Sequence, residues 1–459
     1  MSQKTNFHFE LSERKLLLRV LDVVLVLLGL HFVGNVFEFD YFTIREDKWT
    51  WSLILGFYIL FFGSVFEIYH LKRSSNFFKI IKGIVATCSV TILVYILTPF
   101  LTPELPESRI QIIYFYISII VSMSIGRLAY IYFINSPIFK KSVLLVANGE
   151  LLEEIERDLA IADANYKVKY FINTTSNSIK PVSDKEVPAS RLKDIVKLGV
   201  HEIVVTRSSK FSSTELYSDL LDLFNQGHVI KEYSEVYEDL SGRVYVSFKD
   251  KDFFKQFPFS QHNVKPLYRL AHRLFDVLIS IIGLLSLGLM LPILGCINLM
   301  ANKGPLFYTQ ERVGKKGRLF KIYKLRSMVV NAEKDGAVWA DKNDTRITAF
   351  GKFLRKTRLD EFPQFINILK GEMSVIGPRP ERPVFVDQLA KEIPFYPTRH
   401  IIKPGLTGWA QVSTSYGASV DDSLLKLQYD LYYIKHRNIF LDLNIVIKTL
   451  STVLFFRGQ

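Results

Sequence analysis

The sequence predicts a multidomain α/β membrane protein. It should comprise a four-helix transmembrane bundle, a Rossmann-like α/β module and an α-rich monotopic domain entered by a re-entrant helix hairpin. Three observations point there. Apolar residues crowd into the first third of the 459-residue chain and into one stretch near position 285. Strand-like and helix-like segments alternate over roughly 140–255. Lysine and arginine are distributed unevenly around the apolar runs, within a net charge of +13. The expected boundaries are 1–137, 138–262 and 263–459, and a chain of this length can bury a separate core in each part.

Four apolar segments open the chain, at roughly 16–37, 51–69, 78–100 and 110–134. Each is close to the ~20 residues that cross a bilayer. Lys4, Arg14 and Lys15 precede the first; Lys72, Arg73, Lys79 and Lys82 lie between the second and third; Lys140 and Lys141 follow the fourth. The other two connections carry Glu38, Asp40, Glu46 and Asp47, then Glu104 and Glu107. The positive-inside rule therefore puts both ends of the bundle in the cytoplasm. A buried soluble bundle is the alternative, but these segments lack a polar face. The first run is long and has no small-residue cleavage site behind it, so no cleavable signal peptide is expected. Cys88 and Cys296 each sit in an apolar run, which implies neither a disulfide framework nor a cysteine metal site.

In the second part, Ser142–Ala147, Tyr166–Ile172 and His201–Thr206 read as strands separated by helical patterns, which suits a parallel sheet. The first turn, Ala147-Asn148-Gly149-Glu150, lacks the glycine pattern that lets a pyrophosphate approach the backbone. A structural or regulatory module is the expectation, without a nucleotide site. Around 250–270 the chain turns polar, with Pro258 and Pro266, as a linker would.

The run from Leu274 to Ala301 is long enough to cross a membrane once. Crossing would place Lys303, Arg312, Lys315, Lys316, Arg318, Lys321, Lys324 and Arg326 outside, against the charge rule. Pro292 lies within it and Gly283, Gly288 and Gly295 are spread along it. Proline kinks a helix, so the run is expected to enter from the cytoplasm, bend near Pro292 and return. A fifth spanning helix is the alternative. Beyond it, Phe307–Thr309 and Leu319–Tyr323 read as strands around Gly314-Lys315-Lys316-Gly317, and helical patterns follow near 347–370 and 384–393. The last twenty residues suit either an interfacial amphipathic helix or a core helix.

The chemistry concentrates at Asp360-Glu361, two adjacent acids among Lys321, Lys324, Arg326, Arg355, Lys356, Arg358 and Arg379. Cations near a developing phosphate charge are a large catalytic term, Mg²⁺ is held by one or two carboxylates, and a carboxylate can itself attack phosphorus. A solvated helix with an Arg358–Glu361 pair fits the same spacing. The basic balance suits anionic lipid or phosphorylated substrates. Nucleic acid is not expected, for no zinc finger, arginine-rich arm or RNA-binding aromatic motif is present. His400 and His436 read as structural, and Trp409 as a core residue or a base-stacking one.

From 266 to 459 the motifs resemble the bacterial sugar transferase family, the polyprenyl-phosphate hexose-1-phosphate transferases. They are Gly304-Pro305-Leu306-Phe307, Gln310-Glu311-Arg312-Val313-Gly314, Phe320–Met328, Leu359–Gln364, Gly377-Pro378-Arg379-Pro380-Glu381 and Pro404–Val412. The four spans and the Rossmann-like module look like the N-terminal extension of its large members. The resemblance implies transfer of a sugar-1-phosphate from a UDP-sugar to undecaprenyl phosphate at the cytoplasmic face of the bacterial inner membrane, with release of UMP. It casts Asp360 as nucleophile and Glu361 as the Mg²⁺ ligand. Arg379 would hold a substrate phosphate or the nucleotide, Lys324, Arg326, Arg312 and Gln310 would line the phosphate side, and Pro292 would break the hairpin. Leu291 stands before that proline where many members carry Ser. A homodimer through the N-terminal half is compatible with this organisation. Rival readings are a nucleotide-sugar dehydratase or epimerase, for which Tyr245 and Lys249 have Tyr-x-x-x-Lys spacing, and a non-catalytic assembly scaffold.

Overall fold

The computed structural model describes residues 11–37, 39, 41–42, 48–69, 77–134, 140–163, 165–174, 183–206, 214–246, 266–332, 344–393, 395–414, 417 and 419–454. Lys4, Lys72, Arg73, Glu38, Asp40, Glu46, Asp47, Lys249 and the linker residue Pro258 lie outside them. The chain forms two compact units, Met1–Val236 and Tyr237–Gln459.

The first unit opens with α1 (Leu11–Val36), α2 (Trp49–Val65), α3 (Phe77–Ile96) and α4 (Ile110–Ile134). Among the described residues, Glu13–Val36 and Ile110–Tyr132 are long and apolar enough to cross a membrane, and Trp49–Val65 and Ile80–Ile96 are shorter apolar helices. Their shared core includes Leu18, Leu30, Ile59, Ile84, Tyr95, Phe115 and Met123. Inside it Arg127 donates to Asp22 at 2.8 Å, and neither side chain has any exposed surface. Paired charges are the form in which such groups are tolerated among apolar helices.

The same unit holds a parallel sheet of β1 (Lys141–Ala147), β2 (Tyr166–Asn173), β3 (Glu202–Val205) and β4 (Ile230–Glu232), in the order β2-β1-β3-β4. Helices α5 (Leu152–Ala162), α6 (Leu192–Lys197) and α7 (Thr214–Asn225) connect them. This 2-1-3-4 order is the flavodoxin-like variant of the doubly wound sheet, whereas the dinucleotide-binding half runs 3-2-1. In the turn after β1 the Gly149 amide donates to the Asn173 side chain at 3.1 Å and the Glu150 amide to Asn148 at 3.2 Å. Side chains of this chain thus occupy the amides that a phosphate needs there.

The second unit begins earlier than the linker boundary near 262 suggests. Helix α8 (Tyr233–Ser241) runs into it, and Val244 and Val246 lie in its core with Phe365, Ile368, Leu427 and Ile445. Next comes α9 (Pro266–Ala301), 36 residues of helix with Pro292 inside and long and apolar enough to cross a membrane. Its first part is fastened to the unit. Asp276 accepts from the Ser374 hydroxyl at 2.9 Å and the Val375 amide at 2.8 Å. Arg273 donates to the carbonyls of Ile368 and Leu369 at 2.7 and 2.8 Å, satisfying the end of a neighbouring helix. Farther along, Leu289 and Met300 stay 82% and 84% exposed.

The remaining elements are the antiparallel hairpin β5 (Phe307–Val313) and β6 (Leu319–Leu325), α10 (Ala349–Thr357), α11 (Gln364–Lys370), β7 (Ser374–Ile376), α12 (Pro383–Glu392), β8 (Gly405–Thr407), α13 (Trp409–Ser413), α14 (Val420–His436) and α15 (Ile439–Leu454). One helical pattern over 347–370 is thus two helices. Arg358, at φ 61°, ends α10, and a single 3₁₀ turn, Leu359–Glu361, precedes α11. The last helix is half embedded: Ile445 is buried in the core while Phe440 is 84% exposed.

Helix α9 meets α11 where Gly283 lies under Phe365; a Cβ there would stand 2.2 Å from the ring. Gly288 has nothing within 4 Å. Gly→Ala favours a helix by about 1 kcal/mol, but overpacking costs about 1–3 kcal/mol. Gly283→Ala should therefore lower the melting temperature in nanodiscs, while Gly288→Ala leaves it unchanged or raises it. Equal melting shifts in the two variants would contradict the close packing.

Candidate active site

The acidic pair is placed by a backbone feature that few residues adopt. Arg358 takes a left-handed conformation, turning the chain so that Asp360 and Glu361 point inward from a 3₁₀ turn; each is 7% exposed. The ion-paired surface helix that the spacing leaves open is not formed. Glu361 lies 4.0 Å from Arg358 but 2.8 Å from Arg379 and 3.3 Å from Lys324, both on its Oε1.

Three separate elements supply those cations. Lys324 stands on β6 opposite Tyr308, with the pairs Gln310–Ile322 and Arg312–Phe320 following in register. Strand alternation puts Gln310, Arg312 and Lys324 on one face of the hairpin. Arg379 stands in the Gly377–Glu381 turn that follows β7. Parallel pairing of β7 with β8 holds that turn, with Ser374 opposite Gly405 and Ile376 opposite Thr407. A small pocket opens here, lined by Arg312, Ile322, Lys324, Gln364, Arg379 and Pro380. Arg379 keeps 40% of its side-chain surface exposed.

The environment separates the two acids. Burial pushes the Asp360 carboxyl up to about 6, and the Glu361 charge adds to this, while Lys324, Arg355 and Arg358 pull the other way. Burial also pushes Glu361 upward, but the Arg379, Lys324 and Arg358 charges outweigh it and hold Glu361 well below the carboxylate range. Arg379 is raised in return, chiefly by Glu361. Burial pulls the Lys324 ammonium below its usual value, Glu361 opposes this, and the Arg379 charge adds to the depression. Asp360 Oδ1 is buried with no hydrogen-bond partner. One acid is fully compensated and its neighbour is held short of partners.

Asp360, Glu361, Lys324, Arg379 and Arg312 therefore come together. Arg312 donates to Pro380 O at 3.2 Å and to Gln310 Oε1 at 2.6 Å, so Gln310 supports Arg312 from behind. Arg326 does not join them. Its guanidinium donates to Pro305 O, to Asn302 Oδ1 and O, and to Met328 O, tying the end of α9 to the hairpin. Although Arg326 follows Lys324 by two residues, β6 ends at Leu325 and the side chain turns away. Pro292 lies within α9, away from these contacts. His400 is buried and pushed down to about 3, by burial first and by Arg399 second, so it is neutral. His436 bonds Glu238 at 2.8 Å. Tyr245 packs edge-on against Tyr237, with ring centroids 5.5 Å apart.

Two residues escaped the sequence reading. Gln364 lines the pocket at 3% exposure. Gln411 accepts from Arg379 at 3.2 Å. Both stand inside the quoted motifs, where their side chains have no charge to draw notice. For a divalent ion, the fit rests on the unpartnered Asp360 Oδ1 and on the Glu361 oxygen that Arg379 and Lys324 leave open. Hard carboxylate oxygens are the donor type Mg²⁺ takes. Among the described residues no group of three or more His, Cys, Asp or Glu side chains gathers for a metal, so most of its ligands would be water or substrate.

The bacterial sugar transferase family model matches residues 267–456. A Bacillus subtilis (strain 168) protein, described provisionally as an undecaprenyl-phosphate N-acetylgalactosaminyl 1-phosphate transferase, is 51% identical over 132 residues, 29% of this chain and 74% of that protein. The chain belongs to the bacterial sugar transferase family. The UDP-N-acetylgalactosamine-undecaprenyl-phosphate N-acetylgalactosaminephosphotransferase of Aeromonas hydrophila is 43% identical over 220 residues, 48% of this chain and 51% of that one. The UDP-glucose:undecaprenyl-phosphate glucose-1-phosphate transferase of Escherichia coli (strain K12) is 39% identical over 201 residues, 40% of this chain and 42% of that one. The chain spans about half the length of the Aeromonas relative and less of the E. coli one. The matched region of this family member contains every residue of the pocket.

The opposite shifts of the two acids have opposite consequences for stability. The folded value of Asp360, about 6, exceeds its unfolded value of 3.8, so ionising it opposes folding above pH 4. Asp360→Asn should stabilise the protein at pH 7.5 by about 1–3 kcal/mol, with the gain lost as pH falls from about 6 to 4. Glu361 is depressed, so its contribution is present above its unfolded value and fades only in stronger acid. Glu361→Gln should cost up to about 3 kcal/mol at pH 7.5, leaving two cations uncompensated. Thermal melts of both variants at pH 7.5 and 4 check the signs; shifts in the same direction at pH 7.5 would contradict the division.

Proposed function

We propose that this protein transfers a sugar-1-phosphate from a UDP-sugar to undecaprenyl phosphate, starting assembly of a cell-surface polysaccharide. The observation that carries the reading is the split pair: an under-partnered, raised Asp360 beside a Glu361 clamped by Arg379 and Lys324. The names of the relatives, each an undecaprenyl-phosphate sugar phosphotransferase, support the same substrate classes.

The Asp360 carboxylate attacks the β-phosphorus of the UDP-sugar. The bond from that phosphorus to the bridging oxygen breaks, and UMP leaves with the electron pair. The sugar phosphate now sits on Asp360 as an acyl phosphate. An oxygen of undecaprenyl phosphate then attacks the same phosphorus, and Asp360 departs as carboxylate. Arg379 and Lys324 neutralise charge on the transferring phosphate. Glu361, and in the resting enzyme Asp360, would hold Mg²⁺, which would offset charge on the diphosphate when bound. Arg312, braced by Gln310, faces the same pocket. A partly desolvated nucleophile beside fixed cations exchanges little solvent during the reaction, which favours the transition state.

The membrane arrangement follows the same proposal. Helices α1–α4 cross the bilayer, with α2 the short member: its 17 residues span about 25 Å, which a bilayer meets by local thinning. Helix α9 enters from the cytoplasm, bends at Pro292 and returns, which keeps Lys303, Arg312 and Lys324 on the side of the UDP-sugar. Tags before Arg269 and after Ala301 should report the same side; opposite sides would refute the hairpin.

Membranes carrying the chain, given Mg²⁺, undecaprenyl phosphate and a panel of UDP-sugars led by UDP-N-acetylgalactosamine, should release UMP. Asp360→Asn should reduce release to background, and release that survives it removes Asp360 as nucleophile. Because the attacking form is the carboxylate, which a bound cation also favours, kcat/KM should fall as acid protonates Asp360. A rate that rises as pH falls through the carboxylate range contradicts this role.

A further inference from the structure

We infer that Gln411 is a positioning residue for Arg379, and that the strap Tyr237–Val246 sets the place of the short helix carrying it. This rests on the proposed role of the Glu361–Arg379 pair.

Arg379 is held at two points. One guanidinium nitrogen donates to Glu361 Oε1 at 2.8 Å, and the other donates to Gln411 Oε1 at 3.2 Å. With Glu361 alone, the guanidinium could pivot about a single bond. Its backbone is secured separately, for Arg379 O accepts from Arg399 at 3.1 Å and Arg399 pairs with buried Asp430 at 2.7 Å. The side chain's direction therefore depends on where Gln411 stands.

Gln411 lies in α13, a helix of five residues. A helix that short has no stability of its own, so tertiary contacts place it. Its first residue, Trp409, makes several of them. The indole N–H donates to Gly242 O at 2.8 Å, and the ring stacks on Tyr432 with centroids 6.3 Å apart. Gly242 has φ +66°, and a Cβ there would stand 3.2 Å from the indole, so glycine is the residue that allows this approach.

The strap carrying Gly242 is fixed on both sides of that point. Glu238 accepts two bonds from Lys435 at 2.9 Å and pairs with His436 at 2.8 Å. The Val244 amide donates to Gln428 O at 3.1 Å, and Gln428 Nε2 donates to Val246 O at 2.8 Å. Val244 and Val246 add buried apolar area to the core. One continuous line of contacts thus runs from Gly242 through Trp409 and Gln411 to Arg379 and Glu361. The strap lies before the family-matched region, which starts at 267, so family membership assigns it nothing.

The test uses the full chain. Gln411→Met keeps the side-chain volume and loses the acceptor, whereas Gln411→Glu keeps an acceptor. The Met variant should lower kcat for UMP release about tenfold with KM within twofold, a loss of about 1.4 kcal/mol. The Glu variant keeps the hydrogen bond to Arg379, so exchange over 376–381 should stay near wild type. Trp409→Phe, which loses the indole N–H bond together with part of the stacked ring, should lower kcat in the same direction. Both Gln411→Met and Trp409→Phe should speed amide exchange in peptides covering 376–381. Wild-type kcat in Gln411→Met, or unchanged exchange over 376–381 in both variants, overturns the positioning role. A wild-type chain that releases no UMP overturns the functional reading instead, and the exchange measurement then decides the positioning role alone.

Discussion

Two neighbouring carboxylates, buried in one turn, cannot both be compensated by the same cations. Like charges about 4 Å apart in a protein repel by about 4 kcal/mol. Here the competition is resolved by geometry. Arg379 and Lys324 converge on one oxygen of Glu361, and Asp360 is left with an unpartnered Oδ1. The rest of the second unit follows from that choice. The hairpin must end near Leu325 to present Lys324, the β7–β8 pair must hold the Arg379 turn, and the chain must reverse at Arg358 to bring both acids inward.

The apolar helix α9 is part of the same arrangement. Asp276, an acid in an otherwise apolar run, looks misplaced in the sequence. It caps β7 through Ser374 and Val375, two residues before the turn that carries Arg379. Arg273 satisfies the last carbonyls of α11, the helix that follows the acidic pair, and Gly283 lets Phe365 of that helix approach. The part of α9 nearest the site is thus fastened by polar bonds and close packing, and the exposed apolar surface lies farther along. The proposed reaction, between a water-soluble and a lipid-linked substrate, needs both properties in one element.

Much of this was legible in the residues. The acidic pair, the hairpin around Gly314–Gly317 and the helix at Pro383–Glu392 followed from motif and pattern, while the family resemblance grouped Lys324, Arg312 and Arg379. The break at Arg358 did not, because arginine at positive φ leaves no mark in helical periodicity. Arg326, which the resemblance sets on the phosphate side with Lys324, is bonded instead to Asn302 and Pro305, beyond the strand end at Leu325. The order β2-β1-β3-β4 was hidden because strand alternation shows that a sheet is parallel, not which neighbours pair. The strap at Tyr237–Val246 read as the end of the preceding module because its partners, Trp409, Gln428 and Lys435, lie more than 160 residues away.

These distant partners bear on how the site is kept accurate. In the proposed reaction Arg379 must be firm enough to hold Glu361 low and open enough to meet a phosphate, and it keeps 40% of its side chain exposed. A side chain so exposed cannot be fixed by packing against a core. It is fixed by its two ends: the backbone through Arg399 and Asp430, the guanidinium through Glu361 and Gln411. Of these, Glu361 is the contact that a phosphate or Mg²⁺ would compete for, since both draw on the same charges. Gln411 is neutral and is not drawn into that competition. It can therefore keep the guanidinium in place while Glu361 exchanges partners, which is why an uncharged residue on a short helix belongs in this site.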